Sequence, residues 1–249
     1  LHSFPTRRSS DLHIGAAQYN GLTFGTADLK PESSDTLSFG FVFTPGFVEG
    51  LNVTVDYFDI KVEDVISIYG ADYIINTCLA SGRLCNFVNR APETGGAADG
   101  TLWIGPSGYI VDGTYNLGEL RTKGVDLSAD YRLELGDLGR VSLALIGTYT
   151  DSFETTPEKG VQSYDCAGLY GTVCLVPIPE WRHTMRATWT FRDNLDVTLS
   201  WRHIGAVDLD HTSSNPALAG DVPVTDAKLG AREYFDRSEE HTSELQSPI

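Results

Sequence analysis

The stretch that decides the fold is "GVDLSADYRL", Gly124–Leu133. Val125, Leu127, Ala129, Tyr131 and Leu133 share one face of an extended chain, and Asp126, Ser128, Asp130 and Arg132 share the other. Side chains of a strand alternate between faces, so this two-residue period predicts a strand with one apolar side and one wet side. Five more stretches repeat it. Leu37, Phe39, Phe41 and Phe43 line up in "TLSFGFVFT", and Leu51, Val53, Val55 and Tyr57 in "LNVTVDYFDI". Val141, Leu143, Leu145 and Tyr149 do so in "VSLALIGTYT", Met185, Ala187, Trp189 and Phe191 in "RHTMRATWTFR", and Leu195, Val197, Leu199 and Trp201 in "LDVTLSWRH". A seventh strand is expected to begin near Ala231 and to be cut at Asp236.

These strands run about ten to fifteen residues, whereas globular strands are usually nearer five or six and a tilted bilayer-spanning strand needs about ten. The connections alternate in length. Pro45–Gly50, Glu134–Gly139 and Asp193–Asn194 are short; 67–117, 153–180 and 207–230 are long and hold all four cysteines. In the first long one, "ADYIINTCLA" predicts a short helix. Short turns at one end and long loops at the other are the pattern of an outer-membrane barrel. A soluble β-sandwich explains the alternation equally well, but not the strand length, the one-sided loops or six apolar faces without a Lys or Arg. A cation at mid-membrane on the lipid face costs about 2–4 kcal/mol. Tyr57, Tyr131, Tyr149, Trp181 and Trp201 are expected toward strand ends, as interfacial girdles. The fold expected is all-β: an antiparallel up-and-down transmembrane β-barrel, present as an incomplete open sheet of about seven long strands with long extracellular loops.

Composition narrows the function classes. The net charge of −16 argues against nucleic acid. No window approaches the roughly 18 consecutive apolar residues of a spanning helix. The cysteines fall in two close pairs, Cys78/Cys85 and Cys166/Cys174, without zinc-finger spacing or histidine partners. Two local disulfides in an oxidising compartment are expected, with four reduced thiols as the alternative. No phosphate-binding glycine loop and no G-x-S-x-G elbow is present, so no catalytic residue, cofactor or metal is called for. His183 and His203 are expected as interfacial residues rather than a metal pair. Asp208, Asp210 and His211 are expected as a solvated loop rather than a cation site.

The ends stand apart. "LHSFPTRRSSDL" has a basic run but no apolar stretch after it, so it is not a signal peptide. His2–Leu12 resembles the in-frame translation of a sequencing-library adapter, and Arg237–Ser247 resembles that of its partner adapter. Residues 1–12 and 237–249 are therefore expected to be adapter-derived, with 13–236 as the biological segment.

Several motifs carry a family likeness: Leu29, Pro31, Glu32, Ser34 and Gly40 leading into a strand; Tyr57, Ile60 and Ile66 in the next; Asn116, Gly118, Gly124, Val125 and Asp126; and "PEWR", Pro179–Arg182. Together they resemble the barrel of TonB-dependent outer-membrane receptors. The resemblance implies a receptor in the outer membrane of a Gram-negative bacterium, not an enzyme, that takes up a scarce large solute: an iron–siderophore, cobalamin or an oligosaccharide. Its implied partners are outer-membrane lipid, the solute, and the TonB complex through a plug domain outside this stretch. Asp126, Asp130, Arg132, Arg186 and Arg202 would face the lumen. Trp103, Tyr109, Tyr115, Tyr164 and Tyr170 would be loop residues able to touch the solute, or to pack the loops. A passive porin-type channel or a soluble all-β binding module are the alternatives.

Overall fold

The computed structural model describes residues 19–93, 95, 99–102, 108–191, 195–220 and 227–241. The head His2–Leu12, the turn Asp193–Asn194 and the last residues of the tail, 242–249, lie outside them. The chain divides into two units, one of Leu1–Pro31 with Ile66–Leu117 and the other of Glu32–Val65 with Gly118–Ile249.

The second unit is built on seven long strands: β1 (Ser33–Phe43), β2 (Leu51–Glu63), β3 (Glu119–Glu134), β4 (Arg140–Thr156), β5 (Trp181–Phe191), β6 (Leu195–Ile204) and β7 (Arg232–His241). Each pairs antiparallel with its sequence neighbour, and the sheet stays open, with β1 and β7 as edges. A two-residue strand, Tyr164–Asp165, adds to β4. This is the expected up-and-down open sheet of a partial barrel.

The register turns the alternation of single strands into continuous stripes. One row across all seven strands is Phe43, Val53, Ala129, Leu145, Met185, Trp201 and Phe235. The rows beside it on the same face join Leu51, Tyr131, Leu143, Ala187 and Leu199, then Leu133, Val141, Trp189 and Val197. Large apolar side chains on this face remain open to their surroundings, with Phe39 66%, Leu199 51% and Phe235 66% exposed. Gly147 leaves room on the face for the Trp181 ring, which a Cβ there would meet at 2.5 Å.

Three expectations need correction. First, β2, β3 and β4 run further toward the long loops than hydropathy indicates. Tyr57 therefore lies within β2 rather than at its end. The extension keeps the two-residue period but is charged, because ion pairs replace apolar contacts: Arg121 Nε and Nη2 donate to Asp59 at 2.8 and 2.6 Å, and Lys61 Nζ lies 2.6 Å from Glu63 and 3.0 Å from Glu119. A bulge between Lys123 and Gly124 shifts the pairing of β3 with β4 there. Second, β7 does not stop at Asp236; its ladder with β6 continues to His241. That ladder puts Arg237 opposite Leu199 and Glu239 opposite Val197, in the apolar rows. Backbone pairing needs no particular side chain, so the ladder extends where the pattern has ended. Third, only the second long connection is shorter than expected, because β4 reaches Thr156; the first and third, 64–118 and 205–231, are slightly longer, because β2 ends at Glu63 and β6 at Ile204.

The first unit holds the expected helix, α1 (Ala71–Ser81), closed at its C-terminus by Gly82 in the left-handed conformation. Gly21–Phe24 runs parallel to Tyr109–Gly113, which also pairs with Val88–Asn89. Ala71, Ile74, Leu102 and Ile110 form the small core. Among the described residues no helix is long and apolar enough to cross a membrane, which says nothing of a β-barrel.

Candidate functional site

Asp126, Asp130, Arg132, Arg186 and Arg202 fall on one face, opposite the apolar rows. Asp56, Asp126, Thr148 and Arg182 share one register row, Asn52, Asp130, Ala144, Arg186 and Ser200 a second, and Arg132, Ser142, Thr188 and Thr198 a third. Arg202 is in the row of Ser128 and Thr184. Both signs share the face: Asp56, Asp126 and Asp130 lie on β2 and β3 together with Arg132, and Arg182, Arg186 and Arg202 lie on β5 and β6. Thr148 Oγ1 donates to Asp126 at 2.7 Å, and Arg202 lies 3.4 Å from Asp236 with its guanidinium over the Tyr234 ring. Such a face is polar and carries both signs of charge.

The loop end of β5, β6 and β7 carries His183, His203 and Glu233 in one row. The imidazoles stack at 5.1 Å; Trp181 Nε1 donates to His183 Nδ1 at 2.9 Å, and Glu233 meets His203 Nδ1 at 2.6 Å and accepts from Trp201 Nε1 at 2.5 Å. Each imidazole thus has a neighbour in an aromatic and polar belt. Glu233 was not singled out in the sequence, because its partners lie about thirty residues away on another strand.

The loops are held by a shared device. In the first unit Cys78 and Cys85 are joined, and buried Asp112 accepts from the backbone N–H groups of Tyr69 at 3.1 Å and Gly70 at 2.9 Å. In the second unit Cys166 and Cys174 are joined, and fully buried Asp210 accepts from Val173 N–H at 2.7 Å and Cys174 N–H at 3.1 Å. Gly171 is required beside it, since a Cβ there would fall 2.1 Å from Asp210 Oδ1. Both cysteine pairings match the expected ones.

The candidate contact residues divide by unit. Tyr115 belongs to a ring cluster with Phe24, Tyr69 and Phe87, at centroid distances of 5.8–6.2 Å. Tyr109 is half-buried on the strand Tyr109–Gly113. Tyr164 packs against the core of Cys166, Cys174 and Leu218, and Tyr170 is half-buried on a strand parallel to Val207–Leu209. Trp103 lies outside the described residues. Asp208 is paired with Lys228 at 3.3 Å, Asp210 accepts backbone N–H groups through Oδ2, and His211 Nε2 lies 3.0 Å from Thr172 Oγ1 and 3.8 Å from Asp210 Oδ1; Asp210 is fully buried rather than part of a solvated loop, and among the described residues the three form no metal-holding group.

The model for the TonB-dependent receptor-like β-barrel matches residues 5–236. The chain belongs to that family. Its members are outer-membrane proteins of Gram-negative bacteria, transporters and receptors rather than enzymes. Among solved structures, the chain is similar to a ferric enterobactin receptor mutant from Pseudomonas aeruginosa in complex with enterobactin, at 15% identity and a TM-score of 0.51, covering 91% of this chain and 27% of that one. It is also similar to the F5-1 variant of the FrpB iron transporter from Neisseria meningitidis, at 13% identity and a TM-score of 0.50, covering 90% and 26%. These likenesses carry the fold; the chain spans about a quarter of each receptor's length. No curated protein matches the chain.

Proposed function

We propose that the chain is a stretch of the barrel wall of an outer-membrane receptor that takes up an iron–siderophore complex with energy relayed by TonB. The observation that carries this is the seven-strand register within a TonB-dependent receptor family match. It gives continuous apolar rows on one face and ion-bearing rows on the other. The apolar face meets lipid and the polar face lines the lumen, as alternation across a membrane-spanning wall demands. The proteins of similar fold are named for iron and ferric enterobactin, which favours iron chelates over cobalamin or oligosaccharides. Uptake by TonB coupling requires a plug domain, and we place that domain elsewhere in the complete receptor.

The bounds 13–236 are part of the proposal. The family match ends at Asp236, and the apolar rows break at Arg237 and Glu239. An Arg on the lipid face costs about 2–4 kcal/mol at the midplane, and a Glu less. Both observations support Arg237–Ile249 as adapter-derived; for Leu1–Leu12 the sequence likeness stands alone, and the family match, which begins at residue 5, does not support that bound.

The test is the gene that contains residues 13–236. Its complete product should fractionate with outer membranes and shift its gel mobility on boiling. Its deletion should abolish growth on at least one ferric chelate as sole iron source, with loss of the phenotype in a TonB-null strain. A product found in the periplasm sinks the barrel reading. Growth that is independent of TonB turns the reading into a passive channel.

A further inference from the structure

Resting on the barrel reading above, we infer that His183 and His203 form a binding site on the lipid face for a hydroxylated acyl chain of an outer-leaflet glycolipid. The register fixes the depth. Phe39, Tyr57, Val125, Tyr149 and Trp181 make one row on the apolar face, and the next row toward the long loops holds Asp59 and Lys123. The aromatic row therefore marks the edge of the apolar band on the long-loop side, as a girdle does. His183, His203 and Glu233 lie one row further in, level with Phe41, Val55 and Leu127. Polar side chains inside the band are costly against hydrocarbon and call for a partner.

The trio and its two tryptophans satisfy most of their own polar atoms. Trp181 Nε1 donates to His183 Nδ1 at 2.9 Å, and an indole only donates, so the His183 proton sits on Nε2. Glu233 Oε2 accepts from Trp201 Nε1 at 2.5 Å, and Oε1 lies 2.6 Å from His203 Nδ1. The carboxylate holds the His203 proton on Nδ1 and leaves its Nε2 as an acceptor. Among the described residues neither Nε2 has a hydrogen-bond partner. A metal shared by both Nε2 atoms would need a lone pair on each, and His183 has a proton there. A donor beside an acceptor suits one hydroxyl group, which accepts from His183 and donates to His203. The rings stack at 5.1 Å, less than twice the roughly 2.9 Å of one hydrogen bond, so a single hydroxyl oxygen can bridge them. The Trp201 ring meets His183 edge-on at 4.5 Å, and exposed Leu199 and Phe235 continue the apolar face for the acyl tail. At this depth a diacylglycerol phospholipid offers ester carbonyls, which only accept; a β-hydroxyacyl chain offers the hydroxyl as well.

The experiment titrates the complete receptor, purified in detergent, with two lipid probes and counts bound lipid by native mass spectrometry. One probe is a diacylated glucosamine phosphate with β-hydroxymyristoyl chains; the other is the same lipid with myristoyl chains. They share charge, headgroup and chain length, so only the hydroxyl differs. The hydroxylated probe should bind about tenfold tighter. His183→Phe and His203→Phe each keep a ring and remove one partner of the hydroxyl. Each should cut the preference to about twofold or less in protein that still shifts its gel mobility on boiling; where one variant loses that shift, the other decides. Equal binding of the two probes by the unaltered receptor, or binding of neither, overturns the inference. An undiminished preference in the folded variants does so too. These outcomes leave the uptake reading standing. A complete product that shows no shift on boiling and is found in the periplasm overturns both.

Discussion

The two loop clusters solve one problem with the same parts in different places. Each has a disulfide over a short span, seven residues for Cys78–Cys85 and eight for Cys166–Cys174. Each has a buried aspartate that clasps two consecutive N–H groups of a distant segment. In the second unit the disulfide lies inside the core, with Cys166 2% and Cys174 7% exposed. In the first, Cys85 is exposed and the core is made of Ala71, Ile74, Leu102 and Ile110 instead. The lesson is that the carboxylate clasp is the common element, because a small core cannot satisfy an irregular backbone by itself. The disulfide is a core component in one cluster and a peripheral staple in the other.

The largest expected effect tests the clasp. Asp210→Ala leaves two backbone N–H groups without an acceptor in a fully buried place and should cost about 3 kcal/mol of local stability. Hydrogen exchange at the Val173 and Cys174 amides should accelerate accordingly. Asp112→Ala should cost about 2 kcal/mol at Tyr69 and Gly70. If Asp210→Ala leaves exchange unchanged, the clasp is not the shared element.

Next come the disulfides. Cys166→Ser with Cys174→Ser should destabilise its loop by about 3 kcal/mol, because the cross-link and core packing are lost together. The corresponding change at Cys78 and Cys85 should cost about 2 kcal/mol or less. Under a mild phosphine reductant, Cys78–Cys85 should open first, followed by mass after alkylation. The reverse order would break the contrast between core and peripheral disulfides.

The glycines sharpen it further. Gly171→Ala drives a methyl into Asp210 and should cost about 2 kcal/mol. Gly70 has a φ of 82° but open space where a Cβ would sit, so Gly70→Ala should cost only about 1 kcal/mol of backbone strain. Gly171 has a positive φ too, 147°, so the excess loss of thermal stability in Gly171→Ala over Gly70→Ala reads the packing requirement added to the conformational one.

The smallest effect concerns Lys159. Asp64 beside it holds its pKa above the ordinary lysine value, chiefly through their hydrogen bond. The pair's contribution is therefore complete below the ordinary lysine pKa of about 10.4 and fades as pH rises through the raised value. The lysine side chain is 75% exposed, so Lys159→Ala should leave loop exchange unchanged at neutral pH. A clear loss there would mean that surface charge, and not the clasp, orders this cluster.

The sheet was legible because its signal is local. Alternation over ten residues states which side chains share a face, and Val125–Leu133 says so without reference to any neighbour. It stopped being legible where β2 and β3 exchange apolar residues for Asp59, Lys61, Arg121 and Lys123. There the period survives but hydropathy no longer marks it. The disulfide pairs were legible from spacing. The clasps were not, since Asp112 lies 43 and 42 residues from its donors and Asp210 lies 37 and 36 from its own. Glu233 was hidden for the same reason.

The amino-acid sequence alone determined the strand alternation, the short and long connections and the cysteine spacing. These are properties of neighbouring residues. Only the tertiary structure decided the register that gathers Asp126, Asp130, Arg132, Arg186 and Arg202 on one face. It alone set Arg237 and Glu239 in the apolar rows, and gave Asp112 and Asp210 to backbone far along the chain. A register or a clasp is a choice among many backbone partners, and that choice is made by the packing of the whole set of strands and loops.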